Sequence, residues 1–311
     1  MTADLRTPTG TPASRFAFGT MQFGGKADEA AARAMFDACR AAGITHFDTA
    51  YTYTDGESER MLGRFAAAER DELFIATKAN FGAPATRATI MESFEESRSR
   101  LGMDTIDLFY MHRWDGETPL EETFEALAEL KQAGRIGHIG VSNYAAWQVM
   151  KAQCVAASFG VRIDVIQPMY NLAKRQAEVE ILPMCASEGI RAVPYSPLGG
   201  GLLTGKYAGG GSGRLTEDER YSARYGVDAA HETAGKLVAL AGEMGLHPAT
   251  LAAAWVARHP AAPVPILSAR SAEQLAPSLA AVDFEMDDAT YAALCALSVT
   301  PPPATDRLEE V

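Results

Sequence analysis

Four side chains suited to chemistry stand at intervals in the first half of the chain: Asp48, Tyr53, Lys78 and His112. A carboxylate, a phenol, an ammonium and an imidazole together suit one kind of reaction, proton transfer to or from a carbonyl or alcohol oxygen. A free phenol, with a pKa of about 10, is a slow acid or base near neutrality. A nearby ammonium favours the phenolate and is expected to bring Tyr53 toward the working range. Asp48 would keep Lys78 charged and oriented, since a buried lysine left unpaired tends to lose its proton. His112 would donate a hydrogen bond that holds the substrate oxygen at Tyr53. Singly, each of these residues is as readily a cap, a solvated charge or a core histidine, because structural ion pairs also perturb ionisable groups. Their order on successive segments is what points to a site.

The elements that must position them are short apolar runs. Asp48 closes THFD, Lys78 closes LFIATK, His112 closes IDLFYMH, Asn143 closes HIGVSN, Gln167 closes IDVIQ, Tyr195 closes RAVPY, and Arg270 follows PVPIL. Strands are expected to end near Thr20, Asp48, Lys78, His112, Asn143, Gln167, Tyr195 and Leu267. Helices are expected to begin near Asp28, Glu57, Thr86, Pro119, Ala145, Arg175, His231 and Ser271, several with a capping hydroxyl or carboxylate in the first turn. Gly43, Gly102, Gly134, Gly189 and Gly245 follow apolar periodic stretches as left-handed caps would. Eight strand-then-helix units in order predict an α/β fold, a single-domain (β/α)8 TIM barrel, in which the carboxyl ends of the strands converge on one mouth. A doubly wound open sheet would carry a glycine-rich dinucleotide turn after an early strand, and the chain has no GxGxxG. The stretch 199–225 is expected to be an irregular lid, residues 1–14 a flexible arm and 301–311 a tail.

Composition narrows the class. At 311 residues, with 47% hydrophobic and 22% charged side chains, the chain reads as a globular enzyme. A formal charge of −12 with no long basic stripe argues against nucleic acid as partner. Cys39, Cys154, Cys185 and Cys295 form no CxxC pair, so neither a metal site nor a disulfide framework is expected. The opening MTADLRTPTGTPAS has no apolar signal core and no run approaches a membrane span, which makes the cytoplasm the expected location.

Longer motifs carry a family resemblance. FGTMQFGG, FDTAYTYTDGESERMLG, IATKANFG, DLFYMHRWD, GRIGHIGVSNY, QPMYNL, YSPLGGGLLTGKY and PILSARSAEQL span nearly the whole chain and together resemble the aldo-keto reductases. The resemblance implies NADPH-dependent reduction of a small carbonyl substrate, with a catalytic tetrad on Asp48, Tyr53, Lys78 and His112. It also implies an NADP(H) site made by Gly19, Thr20, Met21 and Asp48, with Ser142, Asn143 and Gln167 on the nicotinamide carboxamide and Tyr195 on its ring. Ser196, Leu198, Gly201 and Lys206 would lie along the pyrophosphate, and Ser268, Arg270, Gln274 and Ser278 at the adenosine end. From the residues alone, Asn143 is as readily a helix cap, and Arg270 the partner of a surface carboxylate such as Glu273. A near match to a P-loop at 200–206 fails because Tyr207 stands where a Ser or Thr should meet magnesium.

The sequence departs from the commoner family pattern at Thr54, Ser268 and Ser278, where Gly, Gly and Asn are frequent. Met21, Phe23, Tyr51, Phe81, Trp114 and Tyr225 are expected to wall the substrate pocket, with Arg113 facing an anionic substrate or solvent. Two further readings stay open: oxidation of a sugar or polyol alcohol by the same site, and a nucleotide-binding regulatory subunit resembling the potassium-channel β subunits.

Overall fold

The computed structural model describes residues 2–307 and Glu309; residues 1, 308, 310 and 311 of the expected arm and tail lie outside that description. Eight parallel strands form the centre: β1 Ala17–Gly19, β2 His46–Asp48, β3 Phe74–Lys78, β4 Ile106–Met111, β5 Ile136–Ser142, β6 Val165–Gln167, β7 Arg191–Ala192 and β8 Ile266–Leu267. They pair in the order β7-β6-β5-β4-β3-β2-β1-β8. Backbone hydrogen bonds from Val264 to the Ala192 carbonyl and from Ile266 to the Pro194 carbonyl, both 2.9 Å, join the two ends and close the barrel. Closure leaves no strand edge exposed, as every backbone donor in an open sheet edge would otherwise need another partner.

The twofold side-chain period of a strand decides which residues face the barrel axis. Ala17, Phe74, Ala76, Leu108, Tyr110, Val165 and Ile266 form an inner apolar cluster, while the alternating Phe18, Phe47, Ile75, Phe109 and Ile166 belong to the outer core beneath the helices. Counting by two along the inner set carries β3 to Lys78, β4 to His112 and β6 to Gln167. The polar residues at the mouth thus continue the inward rows of the apolar ones.

Helices follow each strand: α1 Glu29–Ala41, α2 Glu57–Ala66, α3 Arg87–Leu101, α4 Leu120–Gln132, α5 Ala146–Ser158 and α6 Ile181–Glu188. After β7 come α7 Arg214–Glu217, α8 Glu219–Tyr225, α9 Asp228–Glu243 and α10 Pro248–Arg258, and after β8 come α11 Ala272–Leu279 and α12 Asp288–Cys295. Asp28, Thr86 and Ser271 cap their helices as expected, each side chain accepting from a backbone N–H in the first turn. Gly102 and Gly189 are left-handed caps, and Gly43, Gly134 and Gly245 share the positive φ.

Several expectations are corrected. Helix α6 begins six residues after Arg175, whose guanidinium is engaged by Glu178 and the Cys295 carbonyl while 176–178 make one 3-10 turn. Helix α9 begins at Asp228, ahead of His231. Helices α10 and α12 have no counterpart in the sequence reading; residues 249–257 of α10 are all buried, so it lacks the polar face that reveals a surface helix. Residues 3–13 are not a free arm. The Ala3 N–H bonds the Gly189 carbonyl, Arg6 and Pro12 pair across a turn, and Ala3 and Leu5 pack into the inner cluster. Nor is 199–225 irregular, since it holds a 3-10 segment at Gly199–Thr204 as well as α7 and α8.

His46 is the costly residue of this interior. It is fully buried at the start of β2, edge-on to Phe74 at 4.8 Å, and neither ring nitrogen has a hydrogen-bond partner. Burial, with the Lys78 charge adding to it, pushes its pKa from 6.5 down to about 3. The folded state therefore binds one proton fewer than the unfolded chain between those values, and stability is lost as pH falls through that window. We expect the unfolding free energy to decline below about pH 6.5, with His46 contributing up to ~1.4 kcal/mol per pH unit. His46→Phe should remove that contribution, which denaturant titrations at pH 7, 6 and 5 would reveal; parallel slopes for the two proteins would show that the imidazole is charged or hydrated in the native state.

Candidate active site

The mouth of the barrel is organised around a fully buried ammonium. Lys78 Nζ donates to Asp48 Oδ1 at 2.5 Å and to the Thr49 carbonyl at 2.6 Å. It also lies 5.0 Å from the centroid of the Tyr53 ring and 5.7 Å from that of Tyr110. Two electron-rich ring faces and two oxygens replace the water the cation has lost. Asp48 is shared, because its other oxygen accepts from Gln167 Nε2 at 2.8 Å. That bond reaches from β2 to β6, ladder neighbours of neither, so the carboxylate spans the barrel lumen.

The four sequence-predicted catalytic residues are therefore together. Tyr53 stands edge-on to His112 with ring centroids 6.0 Å apart. Burial pushes His112 from 6.5 down to about 3, and the Lys78 charge acts in the same direction. The imidazole is neutral across the physiological range and has no extra proton to give. Tyr53 departs from expectation: burial raises its phenol above the ordinary value of 10 and outweighs the pull of Lys78. The phenol keeps its proton at neutral pH. For Lys78, burial acts to lower the pKa, but Asp48 and Tyr53 together outweigh it and the ammonium stays charged.

A second layer links the next strands. Ser142 Oγ donates to the Gln167 carbonyl at 3.0 Å. Asn143, with φ 59°, donates to the His112 carbonyl at 2.9 Å and accepts from the Tyr195 hydroxyl at 2.9 Å. It is not the residue before α5, which is Ala145. Thr20 is buried with its N–H and hydroxyl both on the Asp48 carbonyl, Gly19 leaves room for Ile266, and Met21 is half-buried at the rim.

On the far side, Ser196, Gly199, Gly200 and Gly201 all have positive φ, and Leu198 accepts from Gly201 and Leu203. Lys206 Nζ lies 4.8 Å from the Tyr207 ring. Ser268 Oγ is buried without a partner at the end of β8, Gln274 accepts from the Arg270 N–H, and Ser278 is buried. Arg270 does pair with a carboxylate, but with Glu217 of α7 at 2.8 Å; Glu273 instead accepts from Ser271. Lys26 is 3.8 Å from the same Glu217 oxygen, so this corner already holds an anion. An orphaned hydroxyl, left-handed glycines and cations gathered on an anion fit a dinucleotide phosphate.

The expected pocket walls divide. Phe81 is exposed and edge-on to His112 at 5.0 Å, with the Arg113 guanidinium 5.6 Å over its ring. Trp114 is half-buried between Tyr144 and Trp147, and Tyr51 is half-buried under Arg100. Phe23 and Tyr225 do not reach the mouth. Phe23 is fully buried against Phe18 and Phe65, and Tyr225 is fully buried with its hydroxyl bonded to Asn171. Tyr110, beneath Lys78, escaped the sequence reading, although it stands two residues before His112 in the same inward row.

The family model for the aldo/keto reductase family matches residues 15–298. The chain belongs to the aldo/keto reductase family. Aflatoxin B1 aldehyde reductase member 2 of Mus musculus is 40% identical over 195 residues, 61% of this chain and 53% of that protein, so the chain spans about half the length of that relative. Uncharacterized oxidoreductase YrpG of Bacillus subtilis (strain 168) is 34% identical over 301 residues, 90% of each chain. A probable voltage-gated potassium channel subunit beta of Oryza sativa subsp. japonica is 32% identical over 299 residues, 88% of this chain and 89% of that one. The family is one of nicotinamide-dependent oxidoreductases.

Histidine-selective 15N NMR should find His112 neutral at pH 6, given a pKa near 3. A charged imidazole at that pH would return it to the candidates for proton donor.

Proposed function

We propose that the chain catalyses NADPH-dependent reduction of aldehydes, ketones or sugar-like carbonyls, with Tyr53 as the proton donor. The observation that carries this is the Tyr53 phenol, its pKa raised by burial, lying over the buried Lys78 ammonium that Asp48 keeps charged, next to an imidazole too weakly basic to be the acid. When bound, the reduced nicotinamide supplies the hydride that adds to the carbonyl carbon. Ser142, Asn143 and Gln167 would hold its carboxamide and Tyr195 its ring. Gly201 and Lys206 would lie along the pyrophosphate, and Ser268, Arg270, Gln274 and Ser278 at the adenosine end, beneath residues 199–225 as a lid.

The chain's own part is acid catalysis. His112, neutral, donates a hydrogen bond that places the substrate oxygen at Tyr53. As negative charge develops on that oxygen, Tyr53 transfers its proton to it, and Lys78 stabilises the phenolate left behind. Asp48 keeps Lys78 charged throughout, and Tyr53 recovers a proton from solvent. Oxidation of an alcohol would require the phenolate first, which burial of Tyr53 disfavours near neutrality, so reduction is the direction we assign. Phe81, Trp114, Tyr51 and Met21 would face the substrate, an aldehyde being the class that the name of the mouse relative carries. The match to channel β subunits supports a second reading, a regulatory subunit that binds nucleotide; absence of turnover on an aldehyde panel would favour it.

Tyr53→Phe should preserve cofactor binding and lower kcat by ~100-fold or more, as loss of a general acid does. Wild-type turnover in that variant would rule out the assignment. Arg270→Ala tests the cofactor. A forked guanidinium on a 2′-phosphate contributes on the order of 1.5–3 kcal/mol, roughly ten- to a hundredfold in affinity. Titrations should show a loss confined to NADPH, whereas an unchanged ratio of NADPH to NADH affinity would leave Arg270 as the partner of Glu217 alone.

A further inference from the structure

Arg100 stands in the last turn of α3, and none of the chemistry above uses it. Its NH1 donates to the Tyr51 carbonyl at 2.9 Å and lies 3.2 Å from Glu59 Oε2, while Nε donates to Glu96 at 2.9 Å. The guanidinium carbon is 4.5 Å over the Tyr51 ring. Glu59 is fully buried, and its other oxygen accepts from Thr77 Oγ1 at 2.6 Å, the residue before Lys78. The N–H of Tyr51 in turn bonds the Lys78 carbonyl at 3.2 Å. Tyr51 is thus fastened to β3 through its N–H and to α3 through its carbonyl, two residues ahead of Tyr53.

The turn that follows needs such fastening. Thr54, Asp55 and Gly56 are successive left-handed residues, with φ 48°, 53° and 85°. Glycine takes that conformation freely and aspartate tolerates it, but the β-branched Thr54 is strained there, and strained backbone persists where its surroundings hold it. Thr54 is held by its hydroxyl, which donates to the Phe23 carbonyl and accepts from the Ser58 N–H. Gly56 lies against Arg100 itself, since a Cβ there would come within 2.5 Å of Arg100 Nε.

We propose that Arg100 is a positioning residue, holding the 51–56 turn so that the Tyr53 phenol stays against the Lys78 ammonium; this rests on Tyr53 being the proton donor. The arginine does so in two ways, by a bond to the Tyr51 carbonyl and by contact with the Tyr51 ring and Gly56. Neutralising Glu59 is what allows a charged fork to sit there. A displacement of about 1 Å at a reacting group costs on the order of a hundredfold in rate.

Arg100→Met alone would strand a buried carboxylate, a change that can prevent folding. The informative protein is therefore Arg100→Met with Glu59→Gln, compared with Glu59→Gln, which keeps the bond from Arg100 to Tyr51. Tyr53→Phe is measured in parallel. The readouts are the NADPH dissociation constant, kcat and KM for an aromatic aldehyde, and the pH profile of kcat. Relative to Glu59→Gln, the double variant should lose about ten- to a hundredfold in kcat with NADPH affinity retained. The alkaline limb of kcat should also move to higher pH, because a phenol displaced from Lys78 loses the charge that favours its ionisation. Equal kcat and an unmoved limb would make Arg100 a structural buttress and overturn the proposal. Full turnover in Tyr53→Phe would instead overturn the proton-donor reading and this inference with it. Should the double variant fail to fold, Arg100→Lys is read the same way, since it keeps the charge opposite Glu59 but gives up the flat face over Tyr51.

Discussion

Everything at the mouth of this barrel answers to one unfavourable act, the complete removal of the Lys78 ammonium from water. Transferring such a charge into protein costs several kcal/mol even after relaxation, and only close, well-placed partners offset it. The Asp48 carboxylate, the Thr49 carbonyl and the faces of Tyr53 and Tyr110 are those partners. Asp48 in turn ties β2 to β6 through Gln167. Gly140 belongs to the same arrangement: a Cβ there would lie 2.3 Å from Tyr110, so the strand beside β4 must be bare for the second ring to sit under the ammonium. Register, lumen packing and charge are parts of one solution.

The same charge sorts the proton carriers. Lys78 disfavours protonation of His112 and favours ionisation of Tyr53, yet burial acts on both groups as well and differs in sign of effect. For the imidazole the two influences agree and leave it neutral. For the phenol they oppose, burial prevails, and the proton stays. At neutral pH the phenol is therefore protonated and the imidazole uncharged.

Away from the lumen the interactions are weaker and more exchangeable. The pair between Arg270 and Glu217 joins α7 to the end of β8 and is partly exposed at both ends. Pairs of that kind contribute about 0–1 kcal/mol. The pair of Glu59 and Arg100, by contrast, is largely buried. Residues 199–225 are anchored instead by their apolar side chains, with Leu203 and Tyr225 fully buried and the Tyr225 hydroxyl bonded to Asn171.

How much of this was legible in the linear chain depended on the range of the interaction. Strand-end polar residues, caps at Asp28, Thr86 and Ser271, and left-handed glycines could be read because they obey local rules: side-chain period, capping chemistry and the freedom of φ. The strand-end placement of Asp48 and Lys78 belongs to this group, as does the barrel itself, since eight repeats of strand and helix leave few ways to bury two-faced strands. Other features depend on contacts between distant segments. That α10 exists, that residues 3–13 cover the barrel floor, that Phe23 and Tyr225 face the core, and that Arg270 meets Glu217 across 53 positions are set by packing. Tyr53 shows the difference at a single atom. Its neighbour Lys78 was visible in the sequence and argued for a lowered pKa, but the depth of protein around the phenol, which reverses that direction, is a property of the folded molecule alone.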